Sequence, residues 1–226
     1  MPQHEGGAMA SGSVETPQAR IWQGEFGRDY TDRNTFDREQ LDRLWFDNYG
    51  ISRSSINREF LELTPKDASF LEVGCNVGNQ LVMLRHLGYS NLAGIEIQDY
   101  ALQVARSRLE NVPLQQGSAL ALPFKDNSFD VVFTSGVLIH IAPEDLPRAM
   151  SEIHRCARNY IWGAEYFSAE PATVNYRGHD RLLWKMNYAQ EYLSRFPDLE
   201  LVREQLLPYL GNQNVDTMFL LRKRPQ

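Results

Sequence analysis

A short apolar strand that leads into a glycine turn and then a helix constrains this chain more than any other stretch. Residues 70–73 are mostly apolar, Gly74 ends the run, and leucines return at helical spacing from Leu81. A strand, a tight turn and a helix N-terminus make a cradle of backbone N–H groups suited to a ligand. Asn76 stands inside this turn and tolerates the left-handed backbone region better than most residues.

The glycine spacing argues against a dinucleotide. A dinucleotide loop has the pattern G-x-G-x-x-G, whereas Asn76 and Asn79 stand here in place of the second and third glycines. The pattern present is acid-x-Gly-x-Asn-x-Gly, with Glu72, Gly74 and Gly78 at its other positions. An acid suits a cationic amine, and backbone N–H groups suit a carboxylate.

A second acid ends the next predicted strand. Glu96 lies 22 residues after Gly74, and a carboxylate there can accept hydrogen bonds from ribose hydroxyls. This acid alone does not distinguish a dinucleotide from a ligand that carries an amine and a carboxylate, whereas the glycine spacing does.

Strands and helices alternate from Ser69 onward. We expect strands at 69–74, 92–97, 112–116, 129–134, 158–166, 199–206 and 215–222, and helices at 78–87, 99–109, 143–157 and 188–195. Strands separated by helices of this length indicate a parallel sheet, and the last two strands should form an antiparallel pair.

Together these segments resemble the class I S-adenosyl-L-methionine (AdoMet) methyltransferases. The resemblance implies AdoMet as cofactor and an α/β, Rossmann-like fold. It implies a mostly parallel seven-stranded sheet of order 3-2-1-4-5-7-6, with the last strand antiparallel and helices on both faces. The implied cofactor-binding residues are Glu72, Gly74, Cys75, Asn76, Gly78, Asn79, Glu96, Ile97, Ser118, Ala119, Leu120, Ser135, Gly136 and Val137. Typical members have Asp at the position of Ser118, so its hydroxyl should bind the adenine more weakly.

The predicted domain organisation has a leader and one domain. Residues 1–20 are rich in Gly, Ser, Ala and Gln and are expected to be a disordered leader. Residues 21–226 are expected to form a single methyltransferase domain, with an N-terminal helical cap at 21–64. The stretch 168–188 follows the fifth strand, where the resemblance implies a substrate lid.

A narrower resemblance concerns the acceptor. The stretch from Trp22 to Asn34, the glycine loop and the stretch 176–179 look like the methylases found with pseudaminic acid biosynthesis. This implies methyl transfer to O or N of a small polar metabolite, such as a sugar or nucleotide-sugar intermediate. The predicted substrate-binding residues are Tyr30, Arg33, Glu165, Tyr176, Arg177 and His179.

His140 is the predicted catalytic base. Histidine titrates near neutrality, and the loop after the fourth strand should place His140 at the ligand crevice. The alternative is that His140 only packs or orients that loop.

Composition excludes several other classes. The chain has 226 residues, a net charge of −6 and 42% hydrophobic residues, which suits one domain and disfavours nucleic acid as the main partner. No apolar stretch approaches membrane-spanning length. Cys75 and Cys156 are expected to be reduced thiols of a cytoplasmic protein. The histidines are scattered without ligand spacing, so no metal site is expected.

The expected partner is therefore a small-molecule acceptor, with no nucleic acid and no membrane, and the protein is expected to be a monomer or a homodimer. Two rival functions stay open. A non-catalytic AdoMet-fold binding protein would bind the cofactor without turnover. An NAD-linked oxidoreductase is disfavoured by the missing glycines.

Overall fold

Residues 15–224 are described by the structure, which is a computed structural model. Most of the stretch predicted as a leader lies outside these residues. Thr16 caps the first helix through its hydroxyl, which accepts the N–H of Ala19 at 3.1 Å, and Pro17 occupies the first turn. The helical part of the chain therefore begins earlier than residue 21, where the sequence places it.

Helices precede the sheet, and strands then alternate with helices. The helices are α1 (Pro17–Gln23), α2 (Glu25–Arg33), α3 (Arg38–Tyr49), α4 (Arg53–Phe60), α5 (Asn79–His86), α6 (Asp99–Arg108), α7 (Leu146–Cys156) and α8 (Tyr188–Arg195), with a 3₁₀ turn at Leu138–His140. The strands are β1 (Phe70–Val73), β2 (Leu92–Glu96), β3 (Leu114–Gln116), β4 (Phe129–Ser135), β5 (Ala157–Tyr166), β6 (Ala172–Tyr176), β7 (His179–Lys185), β8 (Leu199–Pro208) and β9 (Val215–Lys223).

Seven of these strands form one sheet in the order β3-β2-β1-β4-β5-β9-β8. The five strands from β3 to β5 are parallel, and β9 lies antiparallel to both β5 and β8. The order matches 3-2-1-4-5-7-6 when only the strands of this sheet are numbered. The predicted fold class is therefore confirmed.

The predicted lid at 168–188 folds as the hairpin β6–β7, a separate two-stranded sheet. Its sequence shows little apolar periodicity, and no strands were expected there. Three consecutive residues of β7, Leu182, Leu183 and Trp184, are nevertheless buried. Consecutive residues point to opposite faces of a strand, so the hairpin is covered on both sides and its base belongs to the core.

Two apolar clusters lie on the two faces of the large sheet. One face packs against α4 and α5 through residues such as Ile56 and Leu81, and the other packs against α7 and α8 through residues such as Met150 and Tyr192. This arrangement fixes the strands and leaves their carboxyl ends free for loops, where open parallel sheets bind ligands.

Candidate functional site

The carboxyl ends of β1, β2 and β4 face a cavity of about 150 Å³ that α1 and α2 cover. The cavity is lined by twelve of the predicted site residues, namely Tyr30, Gly74, Asn76, Glu96, Ile97, Ser118, Ala119, Leu120, Ser135, Gly136, Val137 and His140. The fold thus brings the glycine loop, the end of β2, the turn after β3 and the loop after β4 to one place.

The glycine loop after β1 has the backbone conformation that its composition indicates. Gly74, Asn76 and Gly78 have positive φ angles of 72°, 45° and 75°. A Cβ on Gly74 would lie 2.6 Å from Cγ2 of Val137, and a Cβ on Gly78 would lie 2.3 Å from Cδ1 of Leu109. Both glycines are therefore required for backbone conformation and for close packing.

Glu96 joins this loop to the end of β2. Its Oε2 accepts the backbone N–H of Asn76 at 2.7 Å, and its Oε1 accepts that of Gln98 at 2.8 Å. Burial raises the pKa of this carboxyl, and the two backbone donors oppose that rise. Each carboxylate oxygen has a second lone pair, so Glu96 can also accept hydroxyl donors from a ligand.

The turn after β3 supplies one hydroxyl and an apolar wall. Oγ of Ser118 accepts the N–H of Leu120 at 3.2 Å. Because this bond uses a lone pair, the hydroxyl proton stays available to a ligand acceptor. The neighbouring side chains, Ala119 and Leu120, present apolar surface to the cavity, which suits the face of a flat ring.

His140 ends the 3₁₀ turn after β4. Its Nδ1 lies 2.6 Å from the carbonyl oxygen of Leu182 in β7. A carbonyl only accepts hydrogen bonds, so Nδ1 carries the proton and Nε2 has the free lone pair. The ring centroid lies 4.5 Å from that of Trp22 and 5.2 Å from that of Tyr176. Burial lowers the pKa of His140 to about 4, so the ring is neutral at pH 7.

Four residues predicted to bind the cofactor do not line the cavity: Glu72, Cys75, Gly78 and Asn79. The thiol of Cys75 is buried behind the loop. Oδ1 of Asn79 accepts Nη1 of Arg108 at 2.8 Å, and its Nδ2 donates to the carbonyl oxygen of Asn34 at 2.7 Å. These contacts hold the glycine loop against the connection between α2 and α3.

Glu72 also points away from the cavity, into a buried polar recess beneath α4. It pairs laterally with Phe133, and Phe133 pairs with Trp162, so the three side chains share one face of the sheet. Arg53 of α4 is fully buried, with its guanidinium carbon 5.7 Å from the ring centroid of Trp162. We call the site formed by Arg53, Asn57, Glu72 and Trp162 the α4 recess.

Several polar atoms in the α4 recess have no hydrogen-bond partner within residues 15–224. They are Nη1 and Nη2 of Arg53, both polar side-chain atoms of Asn57, Oε2 of Glu72 and Nε1 of Trp162. Burial raises the pKa of Glu72 well above its usual range and lowers that of Arg53 to about 10. Buried polar groups in proteins are nearly always paired, so these unpartnered atoms make the α4 recess a candidate site for a charged ligand group.

Three of the predicted substrate residues lie near His140. Tyr30 lines the cavity from α2. Tyr176 packs on the His140 ring, and His179 packs on Phe26 with ring centroids 5.2 Å apart. The hairpin and α2 therefore meet through aromatic rings at this side of the cavity.

The other three predicted substrate residues lie elsewhere. Arg33 and Arg177 are exposed and do not line the cavity. Glu165 is 1% exposed, and its two oxygens accept the N–H groups of Val137 at 3.2 Å and Ile139 at 3.5 Å. Burial raises the pKa of Glu165 to about 7. Glu165 thus holds the loop before His140 in place instead of facing the cavity.

The predicted site residues did not include Arg53, Gln98 or Trp22, although Trp22 begins the stretch that carries the narrower resemblance. Arg53 gives no signal, because it begins a short helix of mostly polar residues. Gln98 offers a weak one, since it follows Glu96 by two residues and stands at the cap of α6. Trp22 packs, but it also lines the cavity.

Residues 15–224 contain no group of three or more His, Cys, Asp or Glu side chains that could hold a metal ion. None of the helices in that range has the length and apolar character of a membrane span. Cys75 and Cys156 are both buried free thiols.

Comparison with known proteins finds a family model that matches part of this chain. Residues 71–160 match the family model described as "Methyltransferase domain". The matched residues include the glycine loop, Glu96, the turn after β3 and His140, whereas α1–α4 and the β6–β7 hairpin lie outside them.

Curated relatives share part of their length with the chain. The demethylmenaquinone methyltransferase of Symbiobacterium thermophilum is 30% identical over 142 residues, which are 53% of this chain and 55% of that protein. An uncharacterized protein of Haemophilus influenzae is 29% identical over 96 residues, which are 40% of this chain and 38% of that protein. The chain thus spans about half or less of the curated relatives that it matches.

Solved structures share the fold of the methyltransferase domain and of the elements around it. The 1,6-didemethyltoxoflavin-N1-methyltransferase of Burkholderia thailandensis, solved with S-adenosylhomocysteine, has a TM-score of 0.69 at 18% identity and covers 94% of each chain. A SAM-dependent methyltransferase from Methanosarcina mazei has a TM-score of 0.61 at 17% identity, covering 76% of this chain and 98% of the other. At this identity the likeness shows the fold.

Proposed function

We propose that this chain transfers a methyl group from AdoMet to a small-molecule acceptor. The observation that carries the proposal is Glu96, held at the cavity wall by the N–H groups of Asn76 and Gln98 within a methyltransferase domain. An acid in this position can bind the ribose hydroxyls of an adenosine.

The cavity fits the adenosine half of AdoMet. Glu96 would hold the ribose, and the apolar wall at Ala119 and Leu120 would face the adenine. Ser118 would donate to a ring nitrogen through the hydroxyl proton that its bond to Leu120 leaves available. The sequence resemblance also implies that these residues bind the adenosine half of the cofactor.

The α4 recess fits the methionine half. Nη1 and Nη2 of Arg53, which have no hydrogen-bond partner within residues 15–224, would bind a carboxylate, and Oε2 of Glu72 would bind an ammonium. Glu72 lies two residues before Gly74, which lines the cavity, so the two halves of one ligand would meet at the glycine loop. The carboxylate of an amino-acid zwitterion would pair with Arg53, and its ammonium would favour the ionised form of Glu72, whose pKa burial raises.

When bound, AdoMet supplies an electrophilic methyl group. The chain supplies orientation, because an in-line displacement depends on placing the nucleophile against that group. Nε2 of His140 would accept the proton that the acceptor loses, and the bond from Nδ1 to Leu182 fixes the required tautomer. With a pKa of about 4, His140 is unprotonated at neutral pH but a weak base. It therefore suits an amine or an acidic hydroxyl.

The acceptor that the sequence suggests is a sugar or nucleotide-sugar intermediate, as in a pseudaminic-acid-like pathway. Polar side chains around the hairpin turn, including Arg177, His179 and Asp180, support a hydrophilic acceptor on that side. The aromatic rings of Trp22 and Tyr30 support one with a flat or apolar face. We propose the polar metabolite and treat a flat, aromatic acceptor as the competing outcome of a substrate panel.

The setting proposed for this activity is the cytoplasm, with the protein as a monomer or homodimer. Its acidic net charge of −6 supports a small-molecule partner over nucleic acid.

Calorimetric titration with S-adenosylhomocysteine, with NADH as the control, tests the cofactor. We expect micromolar binding of S-adenosylhomocysteine alone. Transfer of a radiolabelled methyl group from AdoMet to a panel of sugars, nucleotide sugars, amines and phenols then tests the activity. Binding of NADH alone would support an NAD-linked oxidoreductase. Binding of S-adenosylhomocysteine without transfer to any acceptor would support a non-catalytic binding protein.

A further inference from the structure

The helices α1 and α2 form a roof over the cavity and stand outside the large sheet. Trp22 and Tyr30 line the cavity from this roof, and their rings lie 5.2 Å apart in an edge-to-face arrangement. The same Trp22 ring packs on His140 at 4.5 Å. The position of the roof therefore determines what surrounds the proposed base.

One side chain beneath the roof binds the end of α1. Nε2 of Gln98 lies 3.0 Å, 2.9 Å and 3.1 Å from the carbonyl oxygens of Trp22, Gln23 and Gly24. Carbonyls at a helix C-terminus lack partners within the helix and carry partial negative charge. Gln98 is 4% exposed, so these bonds are shielded from water.

The backbone N–H and the side-chain oxygen of Gln98 bind the end of β2 and the start of α6. Its backbone N–H donates to Oε1 of Glu96 at 2.8 Å, and its Oε1 accepts the N–H of Tyr100 at 3.1 Å and caps α6. One residue therefore connects the acid proposed to bind ribose, the start of α6 and the end of α1.

We propose that Gln98 is a positioning residue that couples occupation of the Glu96 site to closure of the α1–α2 roof, and so places Trp22 against His140. The inference rests on the proposed function for the identity of the ligand at Glu96. A ligand hydroxyl bound to Glu96 restrains the carboxylate, and through it the backbone of Gln98 and the amide that binds the roof.

Two substitutions separate the roof contact from the helix cap. Gln98→Glu keeps a side-chain acceptor for the N–H of Tyr100 but replaces the donor with an oxygen that the three carbonyls repel. Gln98→Ser keeps a common capping hydroxyl and is too short to reach the roof. Tyr100→Phe is the matched control, because it removes an exposed roof contact, the 2.8 Å bond to Asp32, and leaves Gln98 intact.

Amide hydrogen exchange with and without S-adenosylhomocysteine measures the coupling. In the ligand-free protein, we expect amides of α1 and α2 to exchange at least tenfold faster in Gln98→Glu and Gln98→Ser, while those of α5 keep their rates. In the wild type and in Tyr100→Phe, saturating S-adenosylhomocysteine should slow roof exchange at least tenfold. In both Gln98 variants it should slow exchange around Glu96 but leave the roof unprotected.

The possible outcomes test the roof contact, the coupling and the proposed function separately. Wild-type roof rates in both ligand-free Gln98 variants would overturn the roof contact, while S-adenosylhomocysteine binding to the wild type would still support the proposed function. Equal ligand protection of the roof in wild type and Gln98→Ser would overturn the coupling. Fast roof exchange in both ligand-free variants, together with no S-adenosylhomocysteine binding to the wild type, would overturn the proposed function and leave only the roof contact.

Discussion

At the scale of single residues, Glu96 does more than face a ligand. Its oxygens accept the N–H groups of Asn76 and Gln98, and these bonds hold the two loops that border the cavity. The N–H of Asn76 reaches Glu96 from a residue with φ 45°, in the left-handed region that asparagine tolerates. One carboxylate thus holds both loops in place and is also the group proposed to bind ribose.

Glu96→Ala should weaken S-adenosylhomocysteine binding at least tenfold, because charge-assisted hydrogen bonds are worth about 1.5–3 kcal/mol. Calorimetric titration measures the change. Glu62→Ala, at an exposed glutamate, is the control and should bind normally. Unchanged affinity in Glu96→Ala would remove Glu96 from the ligand site.

His140→Gln should slow methyl transfer at least tenfold, within the usual range for loss of a general base, and leave S-adenosylhomocysteine affinity unchanged. The folded-state pKa of about 4 lies below the ordinary 6.5, so His140 should cost stability as pH falls from 6.5 toward 4. Urea unfolding at pH 7 and pH 5 should show a smaller loss of stability in His140→Gln than in wild type. His86→Gln, at an exposed histidine, is the control. Loss of cofactor binding in His140→Gln would contradict its assignment as the base.

Glu165 should produce the opposite pH dependence. Its pKa rises from 4.5 to about 7 on folding, so the folded state holds an extra proton between these values. Stability from this group is present below pH 4.5 and is lost as pH rises through 7. Between pH 5 and pH 8 the wild type should lose about 2–3 kcal/mol of unfolding free energy relative to Glu165→Gln. Glu170→Gln, at an exposed position, should behave like wild type in the same urea titrations; an equal slope in Glu165→Gln would refute the shift.

At the scale of elements, the corner between α1 and α2 depends on one glycine. A Cβ on Gly27 would lie 1.8 Å from the carbonyl oxygen of Trp22 and 3.1 Å from Nε2 of Gln98. The first contact involves backbone, which cannot move aside cheaply. The corner therefore packs closely only with glycine at this position.

Gly27→Ala should detach α1 without unfolding the sheet, because neither large apolar cluster includes residues of α1. Hydrogen exchange should show fast exchange across residues 17–23 with nearly unchanged exchange in β1 and β4. Gly211→Ala is the control, since a Cβ there meets nothing within 4 Å. Slow exchange in α1 of Gly27→Ala would show that the corner can adjust.

The large sheet was predictable because its signals are local and periodic. Apolar runs mark strands such as β1 and β4, and Gly74 and Glu96 mark the turns that follow β1 and β2. The hairpin β6–β7 was not predictable in the same way. Leu182, Leu183 and Trp184 are adjacent in sequence, and their burial on both faces depends on partners distant in the chain.

Most of the predicted residues that line the cavity follow strand ends, and from the N-terminal helices the sequence indicated Tyr30 but neither Trp22 nor Arg53. The proposed roles of Gly74, Asn76 and Glu96 follow from their spacing in the sequence. Arg53 faces a sheet residue, Trp162, more than one hundred positions away, and no local pattern indicates that contact. Glu165 was predicted to bind substrate, whereas its carboxylate accepts the backbone N–H of Val137.

At the scale of the whole molecule, the residues of the site come from two parts of the chain. Residues 71–160, which match the methyltransferase family model, supply most of the strand ends and loops that line the cavity. Elements outside this range supply Arg53 from α4, Trp22 and Tyr30 from the roof, and Tyr176 from the hairpin. We therefore expect the matched residues to determine the proposed cofactor chemistry, and the surrounding elements to complete the methionine end and to select the acceptor.

This division predicts that the two halves of the cofactor respond to different substitutions. Arg53→Met should weaken S-adenosylhomocysteine at least tenfold, because the carboxylate would lose charge-assisted bonds worth about 1.5–3 kcal/mol. It should leave 5′-methylthioadenosine, which lacks the amino-acid half, with wild-type affinity. Methionine keeps the apolar contact with Trp45, whose ring centroid lies 4.2 Å from the guanidinium carbon.

Calorimetric titration of both ligands makes this test. Arg58→Met is the control, because Arg58 is exposed on the same helix and both ligands should bind it normally. Equal weakening of both ligands by Arg53→Met would mean that Arg53 supports the fold of the whole site. Weakening of S-adenosylhomocysteine alone would assign the α4 recess to the methionine half, because only that ligand carries the charges that the buried Arg53 and Glu72 can pair.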